Sequence, residues 1–209
     1  IINAAKVSVF FIDEKQRVTI DDIGSIEEIK KYAEYYNAKV KQLKLTSQFR
    51  CNGSDSYLSW IDNVLEINPE ATDEFDCDYD IRICDTPDEV RQLILEKNKI
   101  NNKSRMVAGY CWNWIKEGKN DSHIHDIQID DFEMSWNLGS SSTWSIDPES
   151  VNEIGCIHTC QGLEFDYVGV IIGEDMRYDD GIVTDFTKRA RTDQSLKGIK
   201  GLYKKNREE

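Results

Sequence analysis

The sequence has few of the features that define several common classes of protein. It has only 3 prolines in 209 residues and no apolar run near the roughly 20 residues that a bilayer-spanning helix requires. Its first residues lack the basic and apolar pattern of a secretion signal. Bases are the minority, because 26 Lys and Arg oppose 39 Asp and Glu, for a formal charge of −13. We therefore expect a cytoplasmic chain with no membrane partner, and one that does not coat nucleic acid through its overall charge.

The six cysteines show no metal-binding pattern of a known kind. None forms a C-x-x-C pair, and the nearest approach to a ligand set is Cys156-x-His158-x-Cys160. Alternate residues of an extended strand share one face, so these three side chains could converge, but the spacing differs from that of zinc modules. Buried free thiols are the simpler interpretation. We therefore predict no metal site, and reduced thiols of the kind that a cytoplasmic protein keeps.

The residues that are present predict a folded globular chain. Five Trp, nine Tyr and seven Phe, with 39 % hydrophobic residues overall, supply enough apolar surface for a core. The charges are unevenly distributed. Residues 62–89 hold eleven acids and one base, whereas residues 186–209 hold eight bases and three acids. The second region could form a local basic edge, although a solvated helix face is the simpler explanation.

Short strand patterns alternate with helical patterns along the chain. The predicted strands are Val7–Ile12, Val40–Leu45, Ile81–Cys84, Arg105–Tyr110, Glu153–His158 and Tyr167–Ile172. A capping box at Ser25 and Glu28 predicts a helix to about Tyr36, and Thr86 followed by Pro87 predicts another to about Asn98. Residues 54–65 carry a helical stripe that we expect to be buried, and residues 118–149 are predicted to be irregular. Strands separated by amphipathic helices favour an α/β fold with a parallel sheet flanked by helices.

Polar side chains follow four of these predicted strands. In parallel sheets, ligands bind at the carboxyl ends of the strands, so the residues just after each strand are candidates for a site. The candidate segments are 13–17, 46–50, 111–114 and 159–166. Each segment alone is a weak signal, because amides and guanidinium groups are ordinary in solvated loops. Their shared position predicts a polar rim along one edge of the sheet.

Three segments resemble helicase motifs in the order that superfamily 1 helicases have them. VFFIDEKQRV (9–18) resembles motif III, LKLTSQFRC (43–51) resembles motif IV, and IHTCQGLEFDYVGVIIG (157–173) resembles motif V. The segments SQFRCNGSDSYLSWID and RMVAGYCWNW add to this evidence. With them, the chain is most similar to the bacterial DUF2075 family, which is related to the helicase region of the longer Schlafen proteins. The resemblance implies a RecA-like domain of the P-loop NTPase superfamily.

The resemblance also implies roles around a nucleotide. Gln16 would sense the γ-phosphate, and Arg50 would act as an arginine finger where the transferred phosphoryl group becomes charge-rich. Glu164 would accept a hydrogen bond from the nucleotide sugar. Gly162 would let the backbone approach the ligand without a Cβ clash. These four residues are the implied cofactor-binding set, and Gln16 and Arg50 are its catalytic members.

A second set of residues is implied to contact single-stranded DNA or RNA. His158 and Thr159 would face the strand or relay between it and the nucleotide. Trp112 and Trp114 could stack on bases, because aromatic platforms bind single strands without reading sequence. The alternative for both indoles is packing in the core.

The chain departs from the helicase pattern where phosphates and Mg²⁺ would be held. No G-x-x-x-x-G-K-[ST] loop and no recognisable Mg²⁺-binding Asp-Glu pair occur in the 209 residues. We expect residues 1–24 to be the end of a first RecA-like domain. Residues 25–209 would be most of a second, stopping before motif VI. ATP and Mg²⁺ would then bind in an intact parent that contains the missing N-terminal RecA-like domain. This chain alone is predicted to neither bind ATP tightly nor hydrolyse it.

Two other functions stay open at this stage. The chain could be a non-catalytic RecA-like module for protein contacts or regulation, which its acidic composition suits. A free-standing nucleotide-binding enzyme unrelated to helicases is disfavoured by the missing phosphate loop. The apolar segment Val7–Ile12 would lose its sheet in such a fragment, so we predict that it packs on the remaining sheet or pairs with a second copy in a homodimer.

Overall fold

The computed structural model describes residues 1–14, 19, 24–44, 55–68, 70–72, 74–75, 79–115, 121, 123–138 and 142–207. The chain divides into two compact units, one of residues 1–47 with 193–209 and one of residues 48–192. The helices are α1 (Ile26–Tyr35), α2 (Asp55–Val64), α3 (Pro87–Asn101), α4 (Ile157–Cys160) and α5 (Ile199–Arg207). The strands are β1 (Ser104–Ala108), β2 (Ile127–Ile129), β3 (Phe132–Trp136), β4 (Glu153–Gly155), β5 (Tyr167–Ile171), β6 (Met176–Tyr178) and β7 (Ile182–Thr184).

Residues 48–192 contain a five-stranded sheet in the order β2-β3-β4-β1-β5. Strand β1 pairs in parallel with β4, where Met106 lies opposite Ile154, and with β5 along its whole length. Strand β3 is parallel to β4, and only β2 is antiparallel, because it forms a hairpin with β3. The predicted α/β class is confirmed, and the sheet is mixed rather than wholly parallel. A separate antiparallel hairpin joins β6 to β7.

Helix α3 begins and ends at the residues that its sequence favours. The Thr86 side chain accepts a hydrogen bond from the Glu89 N–H, Pro87 occupies the first turn, and Asn102 closes the helix in a left-handed conformation at φ 58°. The helix packs on β1 and β5. Gly169 of β5 permits this approach, since a Cβ there would lie 2.5 Å from Val90 Cγ1. The predicted helix is confirmed and extends to Asn101.

The core of the sheet combines apolar packing with one buried cation. Its fully buried large side chains include those of Trp136, Met106 and Ile154. Arg105 of β1 is also fully buried. The Arg105 guanidinium donates seven hydrogen bonds, to Ser150 Oγ, Asn98 Oδ1, Asn102 Oδ1 and the carbonyls of residues 102, 104, 145 and 147. Neutral acceptors from three parts of the chain therefore hold this charge in place.

Three predicted strands are absent from the described sheets. Residues 7–12, 40–44 and 81–84 are extended or irregular and have no ladder partner among the described strands. Phe11 is 91 % exposed and Ile83 is 98 % exposed. A strand requires a neighbour for its backbone groups, and apolar content alone does not supply one. The prediction that residues 7–12 form a strand is therefore wrong. Whether this segment packs on the sheet or pairs with a second copy stays a prediction.

Three further details differ from the sequence expectations. Residues 118–149, expected to be irregular, contain the β2–β3 hairpin, which supplies two of the five strands. The strand predicted over 153–158 ends at Gly155, and the chain then turns into α4. Helix α2 forms as predicted, but none of its side chains is fully buried. Its aromatic residues instead contact one another and their neighbours, as when Tyr57 stacks on Tyr79 with ring centroids 4.3 Å apart.

The unit of residues 1–47 and 193–209 is less regular. Helix α1 carries the predicted capping box, since the Ser25 side chain accepts from the Glu28 N–H and the Glu28 carboxylate accepts from the Ser25 N–H. Ala33 is the buried residue of this helix. Toward the C-terminus, the Asp193 carboxylate accepts from the Ser195 N–H at 2.8 Å. Within the described ranges, no helix has the length and hydropathy needed to cross a membrane.

Candidate functional site

The carboxyl ends of the parallel strands bring several sequence-predicted residues to one edge of the sheet. Strand β4 ends at Gly155 and leads through Cys156 into the single turn of α4. Strand β3 ends at Trp136, and the next residue, Asn137, donates its N–H to Ile154 O at 2.9 Å. This bond extends the β3–β4 pairing by one residue. Asn137 and α4 consequently lie side by side at the carboxyl edge.

The two implied strand-contacting residues of α4 have opposite surroundings. His158 is exposed, whereas Thr159 is only 7 % exposed. The Thr159 hydroxyl donates to Asn137 Oδ1 at 2.9 Å and lies 3.4 Å from Cys156 Sγ. Thr159 therefore anchors the turn, and His158 is the side chain of this pair that a ligand can reach.

The segment that connects α4 to β5 carries the two implied nucleotide contacts. Gly162 has φ +83°, and a Cβ built there would meet no atom within 4 Å. Glu164 is exposed. The end of the segment is held by Phe165, whose ring packs edge-on against Trp144, and by Asp166, whose N–H donates to Lys103 O. Gly162 and Glu164 thus lie on an accessible loop whose C-terminal end is anchored by Phe165 and Asp166.

This loop is suited to part of a nucleotide site. Open space at Gly162 admits a ligand close to the backbone, and the exposed Glu164 carboxylate can accept from a sugar hydroxyl. Among the described residues, no group of three or more His, Cys, Asp or Glu side chains is arranged to hold a metal ion. The described loop therefore combines an open backbone position with an accessible carboxylate.

The two tryptophans after β1 are engaged with the protein. Trp112 and Trp114 are half-buried and pack against the core. The Trp112 indole N–H donates to Gln128 O, and the Trp114 ring stacks on Trp136 with centroids 5.9 Å apart. These are the core-packing contacts that the sequence left as an alternative, and base stacking stays an untested prediction.

A polar cluster closes the ends of β1 and β5. The Arg189 guanidinium lies 3.4 Å from the Asp175 carboxylate, which has little exposure. Cys111 lies against Gly173, where an added Cβ would overlap its sulfur. Burial, with the Asp175 carboxylate beside it, raises the pKa of the Cys111 thiol to about 11. This thiol is therefore neutral at physiological pH, unlike a reactive cysteine.

The remaining predicted residues cannot be added to this site. Gln16 and Arg50, the implied catalytic pair, lie outside the described residues. Asn137 and Asp175, in contrast, are at the carboxyl edge although the sequence did not single them out. Asn137 was missed because it follows a strand inside the segment expected to be irregular. The alternation of Phe132, Met134 and Trp136 was the signal that could have found it.

Comparison with known proteins gives the class and the family. A mainly parallel α/β sheet with an accessible loop at its carboxyl edge is typical of domains that bind nucleotides or nucleic acids. The profile of the family described as Schlafen group 3, DNA/RNA helicase domain, matches residues 1–209. The chain belongs to this family. It is thereby a helicase-like domain.

One curated relative extends beyond the matched region. The Saccharomyces cerevisiae protein described as "Uncharacterized protein YPL245W" is 26 % identical over 151 residues, which cover 65 % of this chain and 33 % of the yeast protein. The match thus spans a third of that relative. No solved structure matches the chain.

Proposed function

We propose that the chain is the part of an ATP-dependent DNA or RNA helicase or translocase that supplies motifs III, IV and V. The helicase-domain match over residues 1–209 carries this proposal. In detail, residues 25–209 act as the second RecA-like domain of a superfamily 1 protein similar to the DUF2075 family. Residues 1–24 then end the first domain, and the P-loop is provided by a partner domain. ATP and Mg²⁺ bind only when that domain is present.

The proposed ATP site is completed by side chains that this chain contributes. Arg50 places positive charge against the transferred phosphoryl group, and Gln16 senses the γ-phosphate. Glu164 accepts from the ribose, for which its exposure on an open loop is favourable. Bound ATP supplies the phosphoryl group and the free energy of the cycle. The protein groups bind, orient and neutralise charge, which is the main source of catalysis in phosphoryl transfer.

The proposed strand site is the carboxyl edge at α4. His158 is the exposed side chain there, and Thr159 fixes the turn from below. A strand bound at this edge lies next to the loop of Gly162 and Glu164, so one segment of chain contacts both ligands. That continuity would couple nucleotide hydrolysis to movement along the strand.

Arginine substitution in the longest natural form of the protein tests the ATP assignment. Arg50→Ala should lower ATP turnover by about 10³-fold or more while ATP still binds, because a finger stabilises charge that develops only in the transition state. Arg82→Ala is the matched control, since Arg82 is exposed and paired with Asp80. Turnover that survives Arg50→Ala would remove Arg50 from the site. A wild-type protein with neither ATP binding nor turnover would favour the non-catalytic module.

Histidine substitution tests the strand site separately. His158→Ala should weaken binding of a labelled single-stranded oligonucleotide in fluorescence anisotropy, measured at fixed low salt. His123→Ala is the control, because His123 is also exposed but lies in the segment before β2. Equal affinities for the two variants would contradict the placement of the strand at α4.

A further inference from the structure

Apolar side chains are exposed at the C-terminal end of α2. The ring of Phe75 packs edge-on against Trp60, with centroids 4.9 Å apart, and the Ile67 N–H donates to Asp62 O at 2.8 Å, so both residues are held against the helix. Val64, Ile67 and Phe75 are nevertheless exposed, Ile67 to 57 %. We call Trp60, Val64, Ile67 and Phe75 the α2 patch. Apolar side chains that are held together at a surface are typical of a site that another molecule covers.

Acidic side chains lie next to the α2 patch. The chain after α2 turns back toward the helix, because the Thr72 N–H donates to Ser59 Oγ at 3.1 Å and Asn63 Nδ2 donates to Ala71 O at 3.2 Å. The exposed acids of this region include Glu66, Glu70 and Glu74. Residues 62–89 as a whole hold eleven acids and one base. A partner of the α2 patch should therefore combine apolar side chains with basic ones.

Helix α5 has this combination. Leu202 and Tyr203 follow Ile199 at the spacing of one helix face, and they are 50 % and 47 % exposed. Lys204 and Lys205 come next and are exposed. Amphipathic helices bind apolar surfaces through one face, and basic side chains beside that face favour an acidic surface. The α2 patch and α5 are therefore complementary in hydropathy and in charge.

We propose that α5 of one copy of the chain docks on the α2 patch of a second copy, and that the same contact formed twice gives a two-fold symmetric dimer. Leu202 and Tyr203 then cover the apolar side chains, while Lys204 and Lys205 lie against the neighbouring glutamates. Both surfaces are exposed in a single chain. The reciprocal contact closes after two copies, whereas a one-way contact would continue into a filament. The inference is independent of the proposed ATP and strand sites.

The net charge of the chain opposes self-association, so its effect has to be compared with the local attraction. Two copies with a formal charge of −13 each repel one another. At about 0.1 M salt, exposed charges more than roughly 10 Å apart are largely screened. The lysines and glutamates that meet in the dimer are in contact, so their attraction decides. A contact of this small size belongs to the weak, transient class, and we expect the dimer at about 100 µM protein.

Charge reversal tests the α5 side of the contact. The double variant Lys204→Glu/Lys205→Glu should raise the Kd of the dimer by about tenfold or more, because glutamates then face glutamates. Lys30→Glu/Lys31→Glu on α1 is the matched control, since both lysines are exposed and their reversal changes the net charge equally. Sedimentation equilibrium of the whole chain measures each Kd. The control should stay within about twofold of the wild type, because salt screens distant charges.

Charge reversal on the α2 side separates a local contact from an effect of net charge. Glu70→Lys/Glu74→Lys makes the chain less negative, so general repulsion falls, yet the proposed contact predicts a weaker dimer. When this variant is mixed with Lys204→Glu/Lys205→Glu, each α5 meets a patch of opposite charge. The mixture should therefore form a heterodimer at a concentration where each variant alone is monomeric.

Cross-linking of the wild-type chain gives a result that does not depend on any variant. A carbodiimide joins a lysine to a carboxylate only where the two side chains are in contact. In a mixture of ¹⁴N- and ¹⁵N-labelled chains, it should join Lys204 or Lys205 of one isotope to Glu70 or Glu74 of the other. Cross-links found only between peptides of the same isotope would show a contact within one chain and would overturn the proposal.

The remaining outcomes decide between this dimer and other uses of α5. A wild-type chain that stays monomeric at about 100 µM would overturn the proposal. A dimer that Lys204→Glu/Lys205→Glu leaves intact would show that the copies meet elsewhere. Because a basic helix also attracts nucleic acid, a labelled single-stranded oligonucleotide is titrated into each variant. If Lys204→Glu/Lys205→Glu weakens oligonucleotide binding without changing sedimentation, α5 binds the strand and the dimer contact is wrong.

Discussion

The N-terminal segment 7–12 and strand β3 show that burial in this chain does not follow local hydropathy. Residues 7–12 read VSVFFI, one of the most apolar runs of the sequence, yet Val7 is 79 % exposed. Strand β3 reads FEMSW and contains a Glu and a Ser, yet Phe132, Met134 and Trp136 are buried. Strand β3 has β4 on one side and β2 on the other. Pairing partners, rather than side-chain character, decide which of the two segments enters the core.

The largest expected effect comes from a substitution in the buried strand β3. Trp136→Ala should lower the free energy of unfolding by about 3–5 kcal/mol, because a fully buried indole is replaced by a cavity. Phe11→Ala is the paired variant and should leave the denaturation midpoint unchanged, since that ring is exposed. Urea titrations followed by tryptophan fluorescence and circular dichroism measure both. A similar loss in the two variants would contradict the contrast.

Arg105 tests whether the polar part of the core is as important as the apolar part. Arg105→Leu should destabilise the fold by about 3 kcal/mol, because it leaves buried carbonyl and amide acceptors without donors. Arg105→Lys should recover little, since an ammonium cannot reproduce the guanidinium fork. Thermal unfolding is the measurement, and Arg82→Leu on the surface is the control. A stable Arg105→Leu variant would show that the seven hydrogen bonds contribute little.

Gly169 in β5 and Gly201 in α5 differ in how closely other atoms approach them. Gly169→Ala places a Cβ 2.5 Å from Val90 Cγ1 and 3.0 Å from Ile94 Cγ1, so α3 must move away from β5. We expect a loss of about 1–3 kcal/mol from this overpacking. Gly201→Ala in α5 has open space around it, and it should gain up to about 1 kcal/mol in helix stability. The expected result is a lower melting temperature for Gly169→Ala and a higher one for Gly201→Ala. A Gly169→Ala variant with an unchanged melting temperature would contradict the close packing of α3 on β5.

Cys111 should give the smallest effect, which appears only at high pH. Its raised pKa means that the folded state favours the neutral thiol. This contribution is complete below the ordinary thiol pKa of 9.0 and is lost as pH rises through about 11. Alkylation of the Cys111 peptide, followed by mass spectrometry, should therefore be roughly 100-fold slower at pH 8 than for a thiol of ordinary pKa. Rapid alkylation at pH 8 in folded protein would show that the thiol is not buried.

Local signals in the sequence predicted the helices better than the sheet. The N-caps at Ser25 and Thr86 correctly predicted where α1 and α3 begin, because a capping hydrogen bond joins residues within four positions of each other. The strands at 104–108 and 167–171 were also found. The segments at 7–12 and 81–84 were assigned strands wrongly, since their ladder partners depend on distant parts of the chain.

The candidate site was predictable only in part for the same reason. The motif resemblance identified His158 and Thr159, but it gave them one role, whereas the structure exposes the first and buries the second. That difference depends on Asn137, 22 residues away in sequence. Asn137 could not be connected with Thr159 without the parallel pairing of β3 with β4. The positions of Gln16 and Arg50 stay predictions.

The acceptors around Arg105 have a consequence for the order in which the protein is made. The guanidinium finds partners at residues 98 and 102, but also at 145, 147 and 150. A nascent chain on the ribosome that has reached only residue 110 contains the sequences of α3 and β1, but it lacks three of the seven acceptors of Arg105, those at residues 145, 147 and 150. If β1 entered the core of the sheet at that point, the Arg105 guanidinium would be buried away from water without all of its hydrogen-bond acceptors. Productive folding of this sheet should therefore wait until about forty more residues have left the exit tunnel, and stalled translation products shorter than residue 150 should remain protease-sensitive.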